Sequence, residues 1–155
     1  MATNASRQLT FEQALSRAAS LCSASEHCIA DITEKLTRWG IPPAQADDII
    51  DRLLDEKYID EARYAEAYAR DKMRFSHWGR MKIRMMLRMQ HIPDPLIRAA
   101  LEALDPQEYA DVARQVIGAK ARSVGDTGDY ATRAKVIRFA LQRGFEMDEI
   151  ERVLG

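Results

Sequence analysis

The chain has few of the residues that break or bridge a backbone. Its 155 residues include 7 glycines, 5 prolines, 2 cysteines and 3 histidines. Runs of β-branched residues are absent, which argues against sheets. No stretch approaches the roughly 20 apolar residues that cross a bilayer, and Met1–Thr10 is polar and lacks a signal core. We therefore expect a soluble cytoplasmic protein. Two thiols, Cys22 and Cys28, cannot form a disulfide framework. With no His or Cys cluster beside them they read as half-buried thiols in a reducing compartment. His27, His77 and His91 form no metal-spaced pair and belong to no nucleophile motif. The acidic Asp47, Asp48 and Asp51 follow a Pro-Pro helix start and are read as serving the helix dipole. A Gly-rich phosphate loop is also missing. No catalytic residue, metal or cofactor is expected, and the chain is read as a binding protein, not an enzyme.

What fills the sequence is helix-forming Ala, Leu, Met, Arg, Glu and Gln, at 46% hydrophobic and 30% charged residues. Apolar residues recur three or four apart. Phe11, Leu15, Ala18, Ala19 and Cys22 make the first face. Ser23 with Glu26 fits a capping box opening a second helix, which turns Ile29, Ile32, Leu36 and Trp39 inward and stops at Gly40. Pro42-Pro43 starts a third, with Ala46, Ile49, Ile50, Leu53 and Leu54 on its apolar side.

The pattern then recurs. Asp60 caps a helix bearing Tyr64, Ala65, Tyr68 and Phe75, broken at Trp78-Gly79. Ile83, Met86, Leu87 and Gln90 share the next face, which stops at His91; Asp94-Pro95 opens a helix with Ile97, Ala100, Leu101 and Leu104. Asp105-Pro106 with Glu108 opens the last set, with Tyr109, Val112, Ala113 and Val116. A polar loop over 123–129 leads to Val136, Ile137, Ala140 and Leu141, a stop at Gly144, and a short helix with Ile150, Val153 and Leu154.

The stops Trp39-Gly40-Ile41, Gln90-His91-Ile92 and Arg143-Gly144-Phe145 are equivalent, with a period of about 50 residues. The expectation is all-α: three tandem three-helix, helix-turn-helix-like repeats over residues 6–57, 58–104 and 105–155, stacked in an elongated, curved array. His91 stands where the other two stops have glycine, so it should take a positive φ.

The net charge of -1 hides an asymmetry. Residues 1–60 carry six basic and ten acidic side chains, residues 61–98 nine and four, and residues 99–155 eight and ten. In the basic middle, Arg70, Lys72 and Arg74 close one helix, and Arg80, Lys82, Arg84 and Arg88 run along the next. Arg80, Arg84 and Arg88 fall on one stripe, with Met81, Met85 and Met89 on its flank. Arginine forks suit phosphate and carboxylate, and methionine adapts to varied surfaces. These seven basic residues are the candidate binding site for a protein or nucleic-acid partner. Two plainer readings stand beside it: a solvated charged face, and methionines packed on the neighbouring repeat. Trp39 and Trp78 read as packing anchors.

Three segments carry a resemblance. Tyr58-Ile59-Asp60-Glu61-Ala62-Arg63-Tyr64-Ala65-Glu66-Ala67-Tyr68-Ala69-Arg70, Gly79-Arg80-Met81-Lys82-Ile83-Arg84-Met85-Met86-Leu87 and Leu141-Gln142-Arg143-Gly144-Phe145 occur in that order, with Leu36-Thr37-Arg38-Trp39-Gly40-Ile41 upstream. Together they resemble the RecX family, regulators of the RecA recombinase, over residues 11–154. The sequence departs from the family pattern at His91. The resemblance implies three tandem three-helix repeats, binding along the groove of the RecA filament, and inhibition of filament assembly, ATPase, strand exchange and coprotease activity. That would place the protein in recombination, DNA repair and the SOS response. The partners it implies are a RecA-type filament and, through the basic middle, DNA phosphates; a monomer is expected. The alternative is a sequence-tolerant DNA-binding protein of helix-turn-helix type.

Overall fold

Backbone groups decide where each helix starts and stops. The computed structural model describes residues 8–155, and among them there are nine helices and no strand. They are α1 (Phe11–Ala24), α2 (Ile29–Arg38), α3 (Pro43–Asp55), α4 (Glu61–Ser76), α5 (Arg80–Met89), α6 (Asp94–Glu102), α7 (Pro106–Val124), α8 (Tyr130–Gln142) and α9 (Met147–Leu154). None of them is long and apolar enough to cross a membrane. The described residues form two packed units, one of residues 8–64 with Gln90–Ile92, the other of Ala65–Met89 with Pro93–Gly155.

The first unit is built from α1, α2, α3 and the start of α4. Its core is Ala14, Leu15, Ala18, Cys22, Ile32, Leu36, Ile41, Ala46, Ile49, Ile50, Leu53 and Ile59, as the helical spacing expects. Trp39 is half-buried beneath the Arg17 guanidinium, 4.9 Å from its ring centre. Thr10 caps α1 in a reciprocal box with Gln13.

The expected box at Ser23 and Glu26 does not form. Ser23 lies inside α1, and α2 opens six residues later at Ile29, after Cys28, which makes no side-chain cap. The Ile29 N–H donates instead to the Glu61 carboxylate (3.1 Å), and Glu26 pairs with Arg63. A remote acceptor satisfies the exposed helix end as well as a local one.

In the second unit the buried residues include Ala65, Ala69 and Met73 of α4, Ile83 and Leu87 of α5, Ile97, Ala100 and Leu101 of α6, Ile117 of α7, Val136 and Ala140 of α8, and Ile150 of α9. Phe75, expected on the apolar side of α4, is 77% exposed, and Met73 takes the buried position. Leu141 is likewise exposed. Asp60 caps α4 through the Arg63 N–H (3.0 Å), and Asp105 caps α7 through Gln107 and Glu108. Asp94 does not cap α6: Pro93 holds that place, and Asp94 sits in the first turn against Arg88. Ser123 and Val124 extend α7, so the loop before α8 is only 125–129.

The three stops share one geometry. Gly40 (φ 79°), His91 (φ 61°) and Gly144 (φ 98°) are left-handed, and Ile41, Ile92 and Phe145 after them are buried. Ile41 donates to the Leu36 carbonyl and Phe145 to that of Ala140, closing their helices with reversed-chain hydrogen bonds.

Candidate partner-binding surface on α5

The N-terminus of α5 is fixed by the C-terminus of α8. The Gly79 N–H donates to the Arg143 carbonyl (2.7 Å), and the Met81 N–H to the Gly144 carbonyl (3.0 Å). Two orphan donors thus meet two orphan acceptors, with the helix dipoles head to tail. The approach is so close that a Cβ on Gly79 would lie 2.4 Å from the carbonyl carbon and oxygen of Gly144. Only glycine fits.

Arg80 is drawn into the same joint. Its guanidinium lies 3.8 Å from the centre of the Tyr109 ring and 3.3 Å from Glu149. The Tyr109 hydroxyl accepts the Arg80 backbone N–H and donates to Glu149 (both 3.1 Å). Burial, first of all, pushes the Tyr109 hydroxyl above its ordinary pKa, so it stays a donor. This polar cluster ties α5, α7 and α9 together, and sequence spacing carried no sign of Tyr109 or Glu149 as its members, since they lie 29 and 69 residues from Arg80.

The other candidate residues divide by what holds them. Lys72 and Lys82 place their ammonium groups 4.9 and 4.6 Å from the centre of the Trp78 ring, so this half-buried indole is a platform for two cations. Arg74 makes a forked pair with Glu108 (2.7 and 3.2 Å). Arg88 meets Asp94 at 3.0 Å with both side chains well exposed, a pair worth little in water. Arg70 is exposed on α4. Arg84 has no carboxylate within ion-pair distance among the described residues; one of its Nη atoms lies 3.9 Å from the Met81 sulfur.

Arg84 borders a groove of about 530 Å³. Met81, Met85 and Met89 line one side and Leu141 and Gln142 the other, with Lys82, Arg84 and Arg88 among them. The methionines are 44, 54 and 67% exposed and Leu141 is 45% exposed. The methionine stripe is therefore left partly open to solvent, and Leu141, expected in the core, is its counterpart across the groove. Of the seven basic candidates, Lys82, Arg84 and Arg88 line this groove; Arg80 is held in the joint with Tyr109 and Glu149, and Arg70, Lys72 and Arg74 lie outside the groove lining.

Cys22 and Cys28 are free and buried. Burial pushes both thiols up, Cys28 to about 11, which keeps them protonated. Asp47, Asp48 and Asp51 are exposed on α3, and no group of three or more His, Cys, Asp or Glu side chains that could hold a metal ion occurs among the described residues.

Comparison with known proteins matches this arrangement in order along the chain. Residues 14–53, 60–101 and 107–154 match the family models described as the first, second and third three-helix domains of RecX. The protein named regulatory protein RecX from Xanthomonas axonopodis pv. citri is 31% identical over 144 residues, spanning 93% of this chain and 87% of its own. Its counterpart from Pseudomonas fluorescens is 33% identical over 138 residues, 87% of this chain and 85% of its own. The crystal structure of RecX from Lactobacillus salivarius superimposes with a TM-score of 0.79 at 23% identity, covering 93% of this chain and 94% of that one, and so shares the fold. An all-α chain with three RecX domains in sequence and relatives of this identity and coverage belongs to the RecX family of regulatory proteins.

Proposed function

We propose that the protein binds the filament of a RecA-type recombinase and inhibits its assembly, and with it ATPase, strand exchange and coprotease activity. The observation that carries the reading is the α5 face, where Arg84 has no carboxylate partner among the described residues and three methionines stand uncovered beside it. A regulator of this kind needs no reaction chemistry. Binding that favours one filament state over another shifts assembly by mass action. The cation platform at Trp78 and the exposed Arg70 extend the positive surface beyond the groove, and the protein acts as a monomer in the cytoplasm.

The test is the ATPase and strand-exchange activity of the matching recombinase with wild type and with Arg84→Glu plus Arg88→Glu. Arg88 is exposed, and the half-buried Arg84 has no ion pair to lose among the described residues, so the fold should persist, which circular dichroism checks. Loss of inhibition in the folded variant is the expected result; full inhibition would refute the reading. The alternative, direct DNA binding, makes a different prediction: tight binding to DNA alone with a steep fall as salt rises.

A further inference from the structure

The α5 groove has an unusual pairing of features. Its floor is apolar and soft: Met81, Met85, Met89 and Leu141 are four of the seven large hydrophobic side chains exposed among the described residues. Its charge is of one sign: Lys82, Arg84 and Arg88 line it, and none of its lining residues is acidic. Met81 to Met89 spans two turns of α5, about 12 Å.

We propose that this groove receives an acidic amphipathic helix of the partner protein, its apolar stripe on the methionines and its carboxylates on Lys82, Arg84 and Arg88. The proposal deepens the filament-binding reading by naming the chemistry of the element bound, and it rests on that reading for the partner's identity. Two features of the surface select this occupant. Carboxylates flanking an apolar ridge match the groove's pattern of cations around an apolar floor, residue class for residue class. A nucleic-acid backbone would satisfy the three cations but leave the methionine and leucine surface wet. Methionine stripes adapt to helices of differing sequence, so the groove asks for pattern more than for exact residues.

The test uses the full chain and a fluorescein-labelled designed peptide of about 16 residues, long enough to form a helix on binding. Leucines stand at i, i+3, i+4 and i+7 on one face, with glutamates on either side. A permuted peptide of the same composition lacks the face, and an oligothymidylate supplies charge without apolar surface. Fluorescence anisotropy should show the amphipathic peptide bound about tenfold or more tightly than the permuted one. Met85→Glu and Met89→Glu, at exposed positions, should each cost at least about tenfold in peptide affinity, and Arg84→Glu should weaken it and flatten its salt dependence. Equal binding of the two peptides, or full affinity in both methionine variants, overturns the proposal. So does an oligothymidylate that competes fully with the peptide. Recombinase ATPase on the same samples separates the two readings. Wild type that binds the peptide but leaves the recombinase untouched supports the groove and refutes the filament. Wild type that inhibits the recombinase but ignores the peptide refutes the groove alone.

Discussion

Gly79→Ala is the most informative single substitution in the chain. Gly79 has no positive φ, so alanine there brings no dihedral penalty. The whole effect must come from space. The new methyl would sit 2.4 Å from the Gly144 carbonyl and 2.5 Å from the Phe145 nitrogen, all backbone atoms that cannot swing aside. Reaching ordinary contact means parting α5 from the end of α8 by about 1 Å, a gap that forfeits a quarter to a half of the dispersion energy across it. The two backbone hydrogen bonds of the joint, from Gly79 and Met81, lengthen or break at about 1 kcal/mol each. Adding strain in an overpacked joint, we expect a loss of about 3 to 4 kcal/mol. For a chain of this size that is a fall in Tm of roughly 6–16 °C. The assay is a urea titration followed by circular dichroism, with Gly125→Ala as control. Gly125 has φ 103° and ψ -139°, a region open in practice to glycine, and a methyl placed on it would find nothing within 4 Å, so its cost is the dihedral alone, about 1–3 kcal/mol. If Gly79→Ala costs no more than Gly125→Ala, the joint is not what holds α5 to α8.

His91→Gly should stabilise the protein by about 0.5–1 kcal/mol, because relief of the left-handed strain outweighs the looser unfolded chain; a lower urea midpoint would show that the exposed imidazole makes a contact worth more. Glu61→Gln should gain on wild type as pH rises from 4 to 7. Burial first, then Asp31, raise the Glu61 pKa above 4.5 against the opposing pull of the Ile29 N–H. A carboxyl with a raised folded pKa loses stability as pH climbs through it, and glutamine keeps an acceptor for Ile29 without that loss; paired urea melts at the two pH values giving a shrinking difference would refute this. Arg80→Met should cost about 2 to 3 kcal/mol by leaving the half-buried Glu149 without its cation. A cycle with Glu149→Gln should recover at least about 1 kcal/mol of coupling, and additive effects would show that the pair does not interact.

Helix faces were legible in the sequence because burial imposes a period that survives in one dimension. Leu15, Ala18, Ile32, Leu36, Ile49, Leu53, Ile83, Leu87, Ile97 and Leu101 sit where spacing puts them. The stops were legible for a related reason: a buried residue one place after a left-handed one repeats about every 50 positions, and His91 obeys the geometry without being glycine. Partners that lie far apart in the chain were not legible. Ser23 and Glu26 have the right spacing for a box, yet Glu61 supplies the acceptor from 32 residues away. Phe75 stands two residues past the buried Met73, about 200° further round α4, so it points outward. The site was half legible. The charge excess marked α5 and the methionine stripe marked its flank, but nothing in the spacing of Arg80, Arg84 and Arg88 separates the first from the other two.

That separation decides how the surface has to be probed. Gly79, Arg80 and Gly144 belong to the segments that carry the family resemblance, and in the fold they form the joint among α5, α7, α8 and α9. Arg84 and Met85, interleaved in the same segment, line the open groove instead. One short motif thus carries two kinds of constraint, folding and recognition. Reversing the whole arginine stripe would put a glutamate at position 80 opposite Glu149 and report mostly on stability. Like charges at a half-buried contact cost more than the loss of an exposed binding group. Charge reversal at Arg84 and Arg88 reads recognition, and substitution at Gly79 or Arg80 reads the joint. An experiment that mixes the two would see lost regulation either way and could not tell an unfolded regulator from a folded one that no longer binds.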